Sequence, residues 1–346
     1  MVKQMRKRTG FRATLYLFTL IVLTYVIVFM GTPYIVYQPG SASEVAPMIK
    51  VENGDADEKG TFMMTTVSAS YANVALLVAS VFNSYAEVVP KETRLGEKSE
   101  EEYAAVQVFN MDSSQSYAVQ AAYHAAGIPY KNEPDYLFVY SVPAEGNREQ
   151  FQPGDKIISV AGKSMPDSND LMSLLSSRKI GDKVSVILIR DGKKLTEEVN
   201  LIEVKDSKDA AGRPGLGVII AAIQKVEATE AGKKVSFVNT NVGGPSAGLM
   251  FTMEIYSQLT AGDLTKGYRV AGTGTIDPEG NVGPIGGVKH KIVAANREKA
   301  EIFFVPAENY DEAKARADKI GTTMKLVSVS KLSDALNYMK SLPVKP

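Results

Sequence analysis

The amino-acid sequence predicts a protein of mixed α+β and α/β architecture that begins with an N-terminal transmembrane helix. Three patterns indicate this. Residues 13–36 are uncharged, residues 129–204 alternate short strands with turn residues, and residues 214–340 alternate strands with helices. Short strands joined by tight turns are typical of a small β-rich domain, whereas strands alternating with helices are typical of a parallel sheet covered by helices.

Composition excludes several classes of site. The chain has 346 residues, 45% of them apolar, which is enough for two globular domains with separate cores. Because it lacks cysteine, it has no disulfide, thiol nucleophile or Cys-ligated metal. Its two histidines, His124 and His290, cannot form a three-His zinc site. The formal net charge of zero argues against a nucleic-acid partner. We therefore expect no metal and no cofactor.

The first 36 residues predict a cytoplasmic stub and a membrane anchor. Residues 1–12 contain five basic residues and no acid, and Ala13–Val36 is apolar. As a helix, this segment is roughly 36 Å long, enough to cross a hydrocarbon core of about 30 Å. Pro33 predicts that the helix ends near Gly31, and the positive-inside rule places later residues outside the cytoplasm. The alternative is a signal peptide cleaved near Ser41-Ala42-Ser43, but the apolar stretch exceeds the usual 7–15 residues.

Residues 37–128 show fewer patterns. Gly60–Val67 is apolar and β-branched enough to predict a strand. Ser114–Ala126 is rich in alanine and is followed by Gly127, which predicts a helix that ends at that glycine. His124 lies in this helix, where we interpret it as an ordinary surface or core residue.

Residues 129–205 predict a small β-rich domain. Tyr136–Val142 is strand-like, and Phe151–Gly162 contains two turns around a buried strand. Leucines at helical spacing predict a short amphipathic helix over Ser168–Ser177. Val184–Arg190 and Leu195–Leu201 flank Asp191-Gly192, a hairpin turn signal.

This series resembles a PDZ domain, a fold that binds a peptide as an added strand. The resemblance implies a peptide groove between a strand and the helix that carries Leu171 and Leu174; the strand residues are Tyr136, Leu137, Phe138 and Val139. Asp135–Phe138 stands where such domains usually have a glycine-rich loop for a peptide carboxylate. The alternative is a small β domain with no ligand.

The remaining residues predict a polar linker and an α/β domain. Residues 205–213 are polar, and 206–346 then alternate strands and helices. The predicted strands are 216–221, 234–238, 268–270, 302–305 and 325–327. The predicted helices are 246–259, 288–299 and 332–340.

The first candidate catalytic residue is Ser246. Gly243 and Gly244 permit a sharp turn after a strand, and Pro245 is tolerated in the first turn of a helix. Ser246 then lies at a helix N-terminus, where backbone N–H groups favour developing negative charge. The alternative is an ordinary serine N-cap.

The second candidate is a lysine that can take the proton from Ser246 if burial makes it neutral. One apolar stripe at spacings of three, four and seven residues contains Val288, Lys291, Ile292 and Ala295. Lys289 lies about 200° round the helix, on the side of Asn296. The stripe favours Lys291, although a lone lysine in such a stripe can also extend its charged end to water.

Together these segments resemble the Lon-type serine peptidase domain. The matching motifs are Gly244-Pro245-Ser246-Ala247-Gly248 and Pro284-Ile285-Gly286-Gly287 with Lys291 four residues later. The resemblance implies a Ser246–Lys291 dyad, support from Thr273 in Gly272-Thr273-Gly274, and a fold that includes residues 37–128. Two positions depart from the family: Gly243 replaces a frequent acid, and His290 replaces a frequent Glu. We expect His290 to face solvent; its pairing with Ser246 is the less favoured alternative.

The whole chain resembles the membrane-anchored, PDZ-containing Lon-like proteases of bacteria. No GxxxxGK[ST] motif occurs, so this chain carries no P-loop motor. We therefore expect an ATP-independent serine endopeptidase that cuts extracytoplasmic peptides or unfolded segments, with the PDZ domain recruiting or gating substrates. Its expected partners are these substrates, the cytoplasmic membrane and, from the resemblance, further copies of itself. The alternative is a non-catalytic, membrane-anchored adaptor that presents peptides through the PDZ domain.

Overall fold

The structure, a computed structural model, describes residues 2–55, 59–206, 209–238 and 242–345. The chain forms two compact units, which are described separately. The smaller contains Met1–Gly40 and Thr66–Glu97, and the larger contains Ser41–Thr65 and Lys98–Pro346. The larger unit includes every candidate site residue.

Within the described residues the chain forms nine α-helices: α1 (Val2–Phe29), α2 (Val74–Val81), α3 (Lys91–Leu95), α4 (Glu100–Ala126), α5 (Ser168–Ser176), α6 (Gly248–Leu259), α7 (Val288–Arg297), α8 (Tyr310–Ile320) and α9 (Leu332–Ser341). The strands in the same described ranges are β1 (Gly31–Glu44), β2 (Ile49–Val51), β3 (Thr61–Asn73), β4 (Glu87–Pro90), β5 (Tyr130–Ser141), β6 (Lys156–Val160), β7 (Lys163–Ser164), β8 (Lys183–Arg190), β9 (Lys193–Asn200), β10 (Ile202–Asp206), β11 (Asp209–Gly215), β12 (Ile219–Ala228), β13 (Val235–Phe237), β14 (Arg269–Gly272), β15 (Thr275–Ile276), β16 (Val282–Gly283), β17 (Ile302–Pro306) and β18 (Lys325–Val329).

The smaller unit contains α1 and the antiparallel pair of β1 with β4, in which Tyr34 lies opposite Pro90. Its second helix, α2, begins after Asn73, whose side chain accepts a hydrogen bond from the Leu76 N–H at 2.8 Å. This is an ordinary N-cap, which supplies a partner for one of the free N–H groups of the first turn.

The N-terminal apolar segment differs from the sequence prediction. Among the residues that the structure describes, no helix is long and apolar enough to cross a membrane. The transmembrane helix predicted for 13–36 is therefore not supported. The apolar stretch is divided between two elements, because α1 ends at Phe29 and β1 begins at Gly31. Ile35 and Val36, the last apolar residues of the stretch, lie buried in this strand.

In the larger unit, a parallel arrangement of β18, β17, β14 and β3, in that order, forms the frame of the candidate site. Gly272, the last residue of β14, lies opposite Met64 of β3 and Phe304 of β17. The strand predicted at Gly60–Val67 therefore lies in β3, beside β14 in this sheet. The next residues, Thr65 and Thr273, leave the paired region at the same edge, because parallel strands end on the same side.

Two helices pack together behind the site. α4 contacts α6, and the core that they share includes Ala118, Ala122, Phe251 and Ile255. α4 begins with a capping box between Ser99 and Glu102, so it is about twice as long as the helix predicted from 114. It ends at Gly127, as predicted, in the left-handed conformation that glycine favours.

The second sheet has the strand order β12, β5, β6, β8 and β9, with β7 beside β6. The predicted hairpin is present: β8 and β9 pair from Lys183–Asn200 to Arg190–Lys193. Its turn residues, Asp191 and Gly192, both have positive φ. α5 begins after Asp167, and its Leu171 and Leu175 are buried in the core of this sheet.

Two features differ from the predicted organisation. The described residues of the segment predicted as a linker at 205–213 belong to two strands, β10 and β11, which pair antiparallel; residues 207 and 208 lie outside the described residues. β12 then pairs with β5 along its whole length, so the sheet continues past the boundary predicted at residue 205. Composition does not reveal either pairing, because a polar segment can satisfy its backbone groups in a strand ladder as well as in water.

Candidate active site

The turn before α6 holds Ser246 beside Thr273, the residue that follows β14. Gly244 has a φ of 91°, a conformation that favours glycine. Pro245–Ala247 then form one 3₁₀ turn, which leads directly into α6. Ser246 is partly exposed, whereas Ala247 and the following residues are buried. The turn therefore leaves the serine side chain accessible while its backbone is fixed.

Three hydrogen bonds hold this turn. The Gly244 N–H donates to the Gln107 carbonyl at 2.9 Å, and the Ser114 hydroxyl donates to the Pro245 carbonyl at 3.0 Å. Gln107 and Ser114 both belong to α4. From the other side, the Gly274 N–H donates to the Ser246 carbonyl at 2.9 Å. Sequence reasoning did not identify Gln107 or Ser114, because neither belongs to a motif.

Lys291 reaches Ser246 from α7. Its side chain is 3% exposed, and its Nζ lies 2.7 Å from the Ser246 Oγ. Lys289, by contrast, points outward and forms an ion pair with Glu312 at 3.1 Å. The helix thus separates the two lysines as the apolar stripe predicts.

The surroundings of Lys291 favour its neutral form. Its three hydrogen-bond neighbours are uncharged: the Ser246 hydroxyl, the Thr273 Oγ1 at 3.0 Å and the Thr65 carbonyl at 2.9 Å. Burial lowers the pKa of Lys291 from its ordinary value of 10.5 to about 7, because desolvation penalises the charged ammonium. A large fraction of the lysine is therefore neutral near pH 7.

The hydrogen-bond directions orient the lysine. The Thr273 hydroxyl donates its proton to the Ser246 carbonyl at 3.0 Å, so its oxygen can only accept from Lys291. The Thr65 carbonyl is also only an acceptor. A neutral amine has two N–H groups and one lone pair. Both N–H groups are directed to Thr273 and Thr65, and the lone pair is left to accept the proton of Ser246.

Thr65 is the site residue that sequence reasoning missed. It follows the paired part of β3, and its own hydroxyl donates to the Gly272 carbonyl at 3.1 Å. Since only its backbone carbonyl contacts Lys291, any residue type could make this contact. The indirect signal was the strand predicted at Gly60–Val67, together with the expectation that it belongs to the protease fold.

The two departures from the family motif have different structural settings. A Cβ on Gly243 would lie 2.9 Å from the Gln107 Cβ, so α4 occupies the space that an acidic side chain needs. His290 is 4% exposed, and the expectation that it faces solvent is wrong. The reason is that α7 is covered on more than one side: residues 290–295 are all buried.

The candidate groove of the second sheet is not open. Leu137, Phe138 and Val139 have no exposed surface, and Leu171 is 5% exposed. Tyr136 is partly buried, and its hydroxyl donates to the Asp112 carboxylate at 2.6 Å. The structure thus brings these residues together around one strand edge, but that edge is already paired with β12.

The part of the chain that the structure describes contains no group of three or more His, Asp or Glu side chains that could hold a metal ion. The polar groups described above at Ser246 are the Lys291 amine, the Thr273 hydroxyl and the Gly274 N–H. A serine in the turn before a helix, beside a buried lysine, is typical of serine peptidases that use an amine as their general base.

Comparison with known families agrees with this class. Residues 237–341 match the Lon protease (S16) C-terminal proteolytic domain, and residues 125–201 match the PDZ domain. The first match contains Ser246, Thr273 and Lys291. The chain therefore carries a Lon-type proteolytic domain, which is a serine endopeptidase domain, and a PDZ domain.

Curated relatives are similar over the proteolytic domain. The Lon protease of Aster yellows witches'-broom phytoplasma (strain AYWB) is 33% identical over 96 residues, or 28% of this chain. That of Campylobacter jejuni is 35% identical over 96 residues, and that of Rickettsia felis is 36% identical over 95 residues. In each case the match spans 12% of the relative's length.

A solved structure is similar over the other domain. The PDZ domain of an SdrC-like protein from Listeria monocytogenes has 25% sequence identity, with a TM-score of 0.23. The match covers 25% of this chain and 87% of that one.

Proposed function

We propose that this protein is an ATP-independent serine endopeptidase in which Ser246 is the nucleophile and Lys291 the general base. The observation that carries the proposal is the 2.7 Å contact of a buried lysine with the serine hydroxyl. It is supported by the hydrogen-bond directions, which leave the lone pair of a neutral Lys291 facing Ser246.

In the acylation step, Lys291 takes the proton of Ser246 while the Ser246 oxygen attacks the carbonyl carbon of the scissile peptide bond. The protonated lysine then gives this proton to the leaving amine, and an acyl-enzyme ester remains. In the second step, the neutral lysine takes a proton from water, whose oxygen attacks the ester. Transfer of that proton back to the Ser246 oxygen regenerates the enzyme.

The turn around Ser246 is suited to the negative charge of the tetrahedral intermediate. Backbone N–H groups at the beginning of α6 and the helix dipole favour an oxyanion there. Gly244 and Pro245 position these groups, and Thr273 holds both the Ser246 carbonyl and the lysine. The turn is thus the oxyanion region of the proposed mechanism.

The substrates that we propose are peptides and exposed or unfolded segments of proteins. The chain has no P-loop that could drive unfolding, so a folded substrate must already present an accessible segment. We assign the PDZ domain a role in recruiting or gating these substrates.

Two substitutions test the dyad in the full chain. We expect Ser246→Ala and Lys291→Ala each to lower kcat at least about 10³-fold on a fluorescently labelled unfolded protein, because either change removes the proton-transfer pair. Lys289→Ala is the matched control, since its side chain is exposed, and it should retain activity within about twofold. Wild-type turnover in both dyad variants would refute the assignment.

The competing adaptor function is separated by a chemical probe. A peptidyl phosphonate that carries a leaving group phosphonylates an activated serine as that group departs, and mass spectrometry after digestion locates the stable adduct. We expect it on Ser246 in the wild type and a reduced yield in Lys291→Ala. Failure to label Ser246, together with retained peptide binding, would favour a non-catalytic adaptor.

The location is a proposal from the sequence alone. The basic residues before Ala13 and the apolar stretch after them favour a catalytic domain outside the cytoplasm of a bacterial cell. Protease added to intact cells should then digest the domain without lysis. Protection until lysis would contradict this location. We also propose, from the Lon-type resemblance, that copies associate, which sedimentation velocity can test.

A further inference from the structure

The groove of the PDZ domain contains a segment of the same chain. β12 pairs antiparallel with β5, the strand whose free edge was expected to take a peptide. The helix on the other side of this groove, α5, also contacts β12. Residues Ile220–Ile223 lie in continuous register opposite Val139–Tyr136, between two register shifts. A stretch of four paired residues therefore occupies the position of an added peptide strand.

The side chains of this segment alternate as those of a bound peptide do. Val218, Ile220 and Ala222 pack against the core that contains Leu171 and Leu175 of α5. Ile219, between the first two, is 53% exposed. Because alternate residues of a strand point to opposite faces, one face fills the groove. The other face carries the exposed Ile219 and also Ile223, which is 5% exposed and packs with Ala105 of α4 and Phe138.

The groove also lacks the geometry for a peptide carboxylate. Tyr136, Leu137 and Phe138, which stand at the usual carboxylate loop, are part of β5 and lie opposite Ile223, Ala222 and Ala221. β12 continues past this point, and Gln224–Ala228 pair with the beginning of β5. A chain that passes through the groove in this way has no free end there.

We propose that residues 218–223 are a built-in ligand of the PDZ groove, and that the groove takes an extended apolar segment from the interior of a polypeptide when β12 leaves. The preferred ligand has small or branched apolar side chains at alternate positions, as Val218, Ile220 and Ala222 do. Unfolded protein segments have this chemistry, whereas a polar C-terminal tail does not.

The same helix contacts this segment and the candidate active site. The Ser116 hydroxyl of α4 donates to the Gln224 carbonyl of β12 at 2.7 Å, and Ser114, two residues earlier, donates to the Pro245 carbonyl beside Ser246. The groove and the nucleophile turn therefore share one rigid support. Departure of β12 removes a hydrogen bond from this support.

Peptide binding tests the proposal independently of catalysis. The probe is a labelled, C-terminally amidated peptide with the sequence of residues 216–228, and binding is measured by fluorescence anisotropy in full-length Ser246→Ala. We expect Ile220→Asp, which places a charge in the apolar groove and releases β12, to bind this peptide at least about tenfold more tightly than the parent, because an occupied groove lowers apparent affinity. The parallel substitution Ile219→Asp changes an exposed side chain and should leave binding at the parent level.

The absence of cysteine allows a second measurement that does not depend on Ile220→Asp folding. Val139 and Ile220 are directly opposite, and opposite residues on neighbouring strands are close enough for a disulfide. In the double variant Val139→Cys with Ile220→Cys, oxidation should abolish peptide binding and reduction should restore it. Equal binding in the two redox states would overturn the proposal, as would equal binding by the parent and a folded Ile220→Asp.

The class of ligand is tested with a peptide that ends at Ile223 with a free carboxylate. We expect it to bind no more tightly than the amidated peptide. A tenfold preference for the free carboxylate would overturn the assignment to internal segments. All of these outcomes are obtained without peptidase activity, so they are separate from success or failure of the proposed dyad.

Discussion

Ser246 and the strand edge at Leu137–Val139 are both supported by α4, yet they differ in access. Ser246 remains partly exposed, whereas the three residues of the edge have no exposed surface. The reactive side chain must be reached by a substrate, whereas its base, Lys291, is buried, which lowers its pKa. The strand edge would expose backbone N–H and carbonyl groups, but β12 pairs with it and supplies their hydrogen-bond partners. The difference teaches that one chain can keep a reactive site open while it closes a recognition site with its own residues.

After the two dyad substitutions, the largest expected effect comes from changing Thr273, which belongs to the polar site and not to the groove. Thr273→Val removes both the hydroxyl that supports the Ser246 carbonyl and an acceptor of Lys291. We expect kcat to fall about 10²-fold, in the range that a positioned acid–base group contributes. Thr273→Ser keeps the hydroxyl and should recover most of this loss. Equal loss in both variants would indicate a packing role instead.

The pH profile should also separate the two regions. Lys291 must be neutral to accept a proton, and burial lowers its pKa to about 7. Below that pH, kcat/KM should fall about tenfold per pH unit; above it, activity should reach a plateau. Peptide binding by the released groove should not follow this curve, because the side chains that line it are apolar. A flat kcat/KM profile between pH 5 and 8 would contradict the neutral-lysine mechanism.

A third prediction concerns the close approach of α4 to the nucleophile turn. In Gly243→Ala, the added Cβ lies 2.9 Å from the Gln107 Cβ, and we expect a destabilisation of about 1–3 kcal/mol by overpacking. Thermal unfolding measures it. Gly286→Ala is the matched control, since its Cβ meets no atom within 4 Å. In a double-mutant cycle, Gln107→Gly should reduce the destabilisation that Gly243→Ala causes. If the free-energy changes of the two substitutions simply add, the contact between these residues is unimportant.

The smallest effects should come from two serines of α4. Ser114 donates to the Pro245 carbonyl and Ser116 to the Gln224 carbonyl. Each hydrogen bond contributes about 0.5–1.5 kcal/mol. Ser114→Ala should lower kcat a few-fold with little change in KM, whereas Ser116→Ala should raise peptide binding a few-fold. If Ser114→Ala instead changed peptide binding and Ser116→Ala changed kcat, the separation of the active site from the PDZ groove would be contradicted.

Much of the polar site could be predicted from the sequence because its chemistry lies in short motifs. Ser246 follows a Gly-Gly-Pro turn, and helical spacing alone separates Lys291 from Lys289. Thr65 could not be predicted, since a backbone carbonyl leaves no mark on residue identity. Gln107 and Ser114 were missed because their contacts with the turn depend on the packing of α4 against α6.

The organisation of the remainder depends on pairing between distant residues. The strands of the PDZ domain follow from alternation and from Asp191-Gly192, but alternation does not indicate which strand lies beside which. Residues 216–221 could be read as a strand, yet nothing in them shows that their partner is β5. The sequence also does not show where the N-terminal apolar stretch changes from helix to strand, because apolar residues such as Ile35 and Val36 suit a membrane helix and a buried strand equally.

The uncharged surroundings of Lys291 have a consequence for how the enzyme responds to its medium. Among the residues that the structure describes, none forms an ion pair with Lys291, and burial is what lowers its pKa, so dissolved salt has little to screen at the dyad. Hydration sets this pKa instead. When a substrate covers the partly exposed Ser246 and displaces water, the cost of a charged amine rises and the lysine becomes readier to stay neutral. The neutral fraction of Lys291 therefore depends on how far a bound substrate excludes water from the dyad.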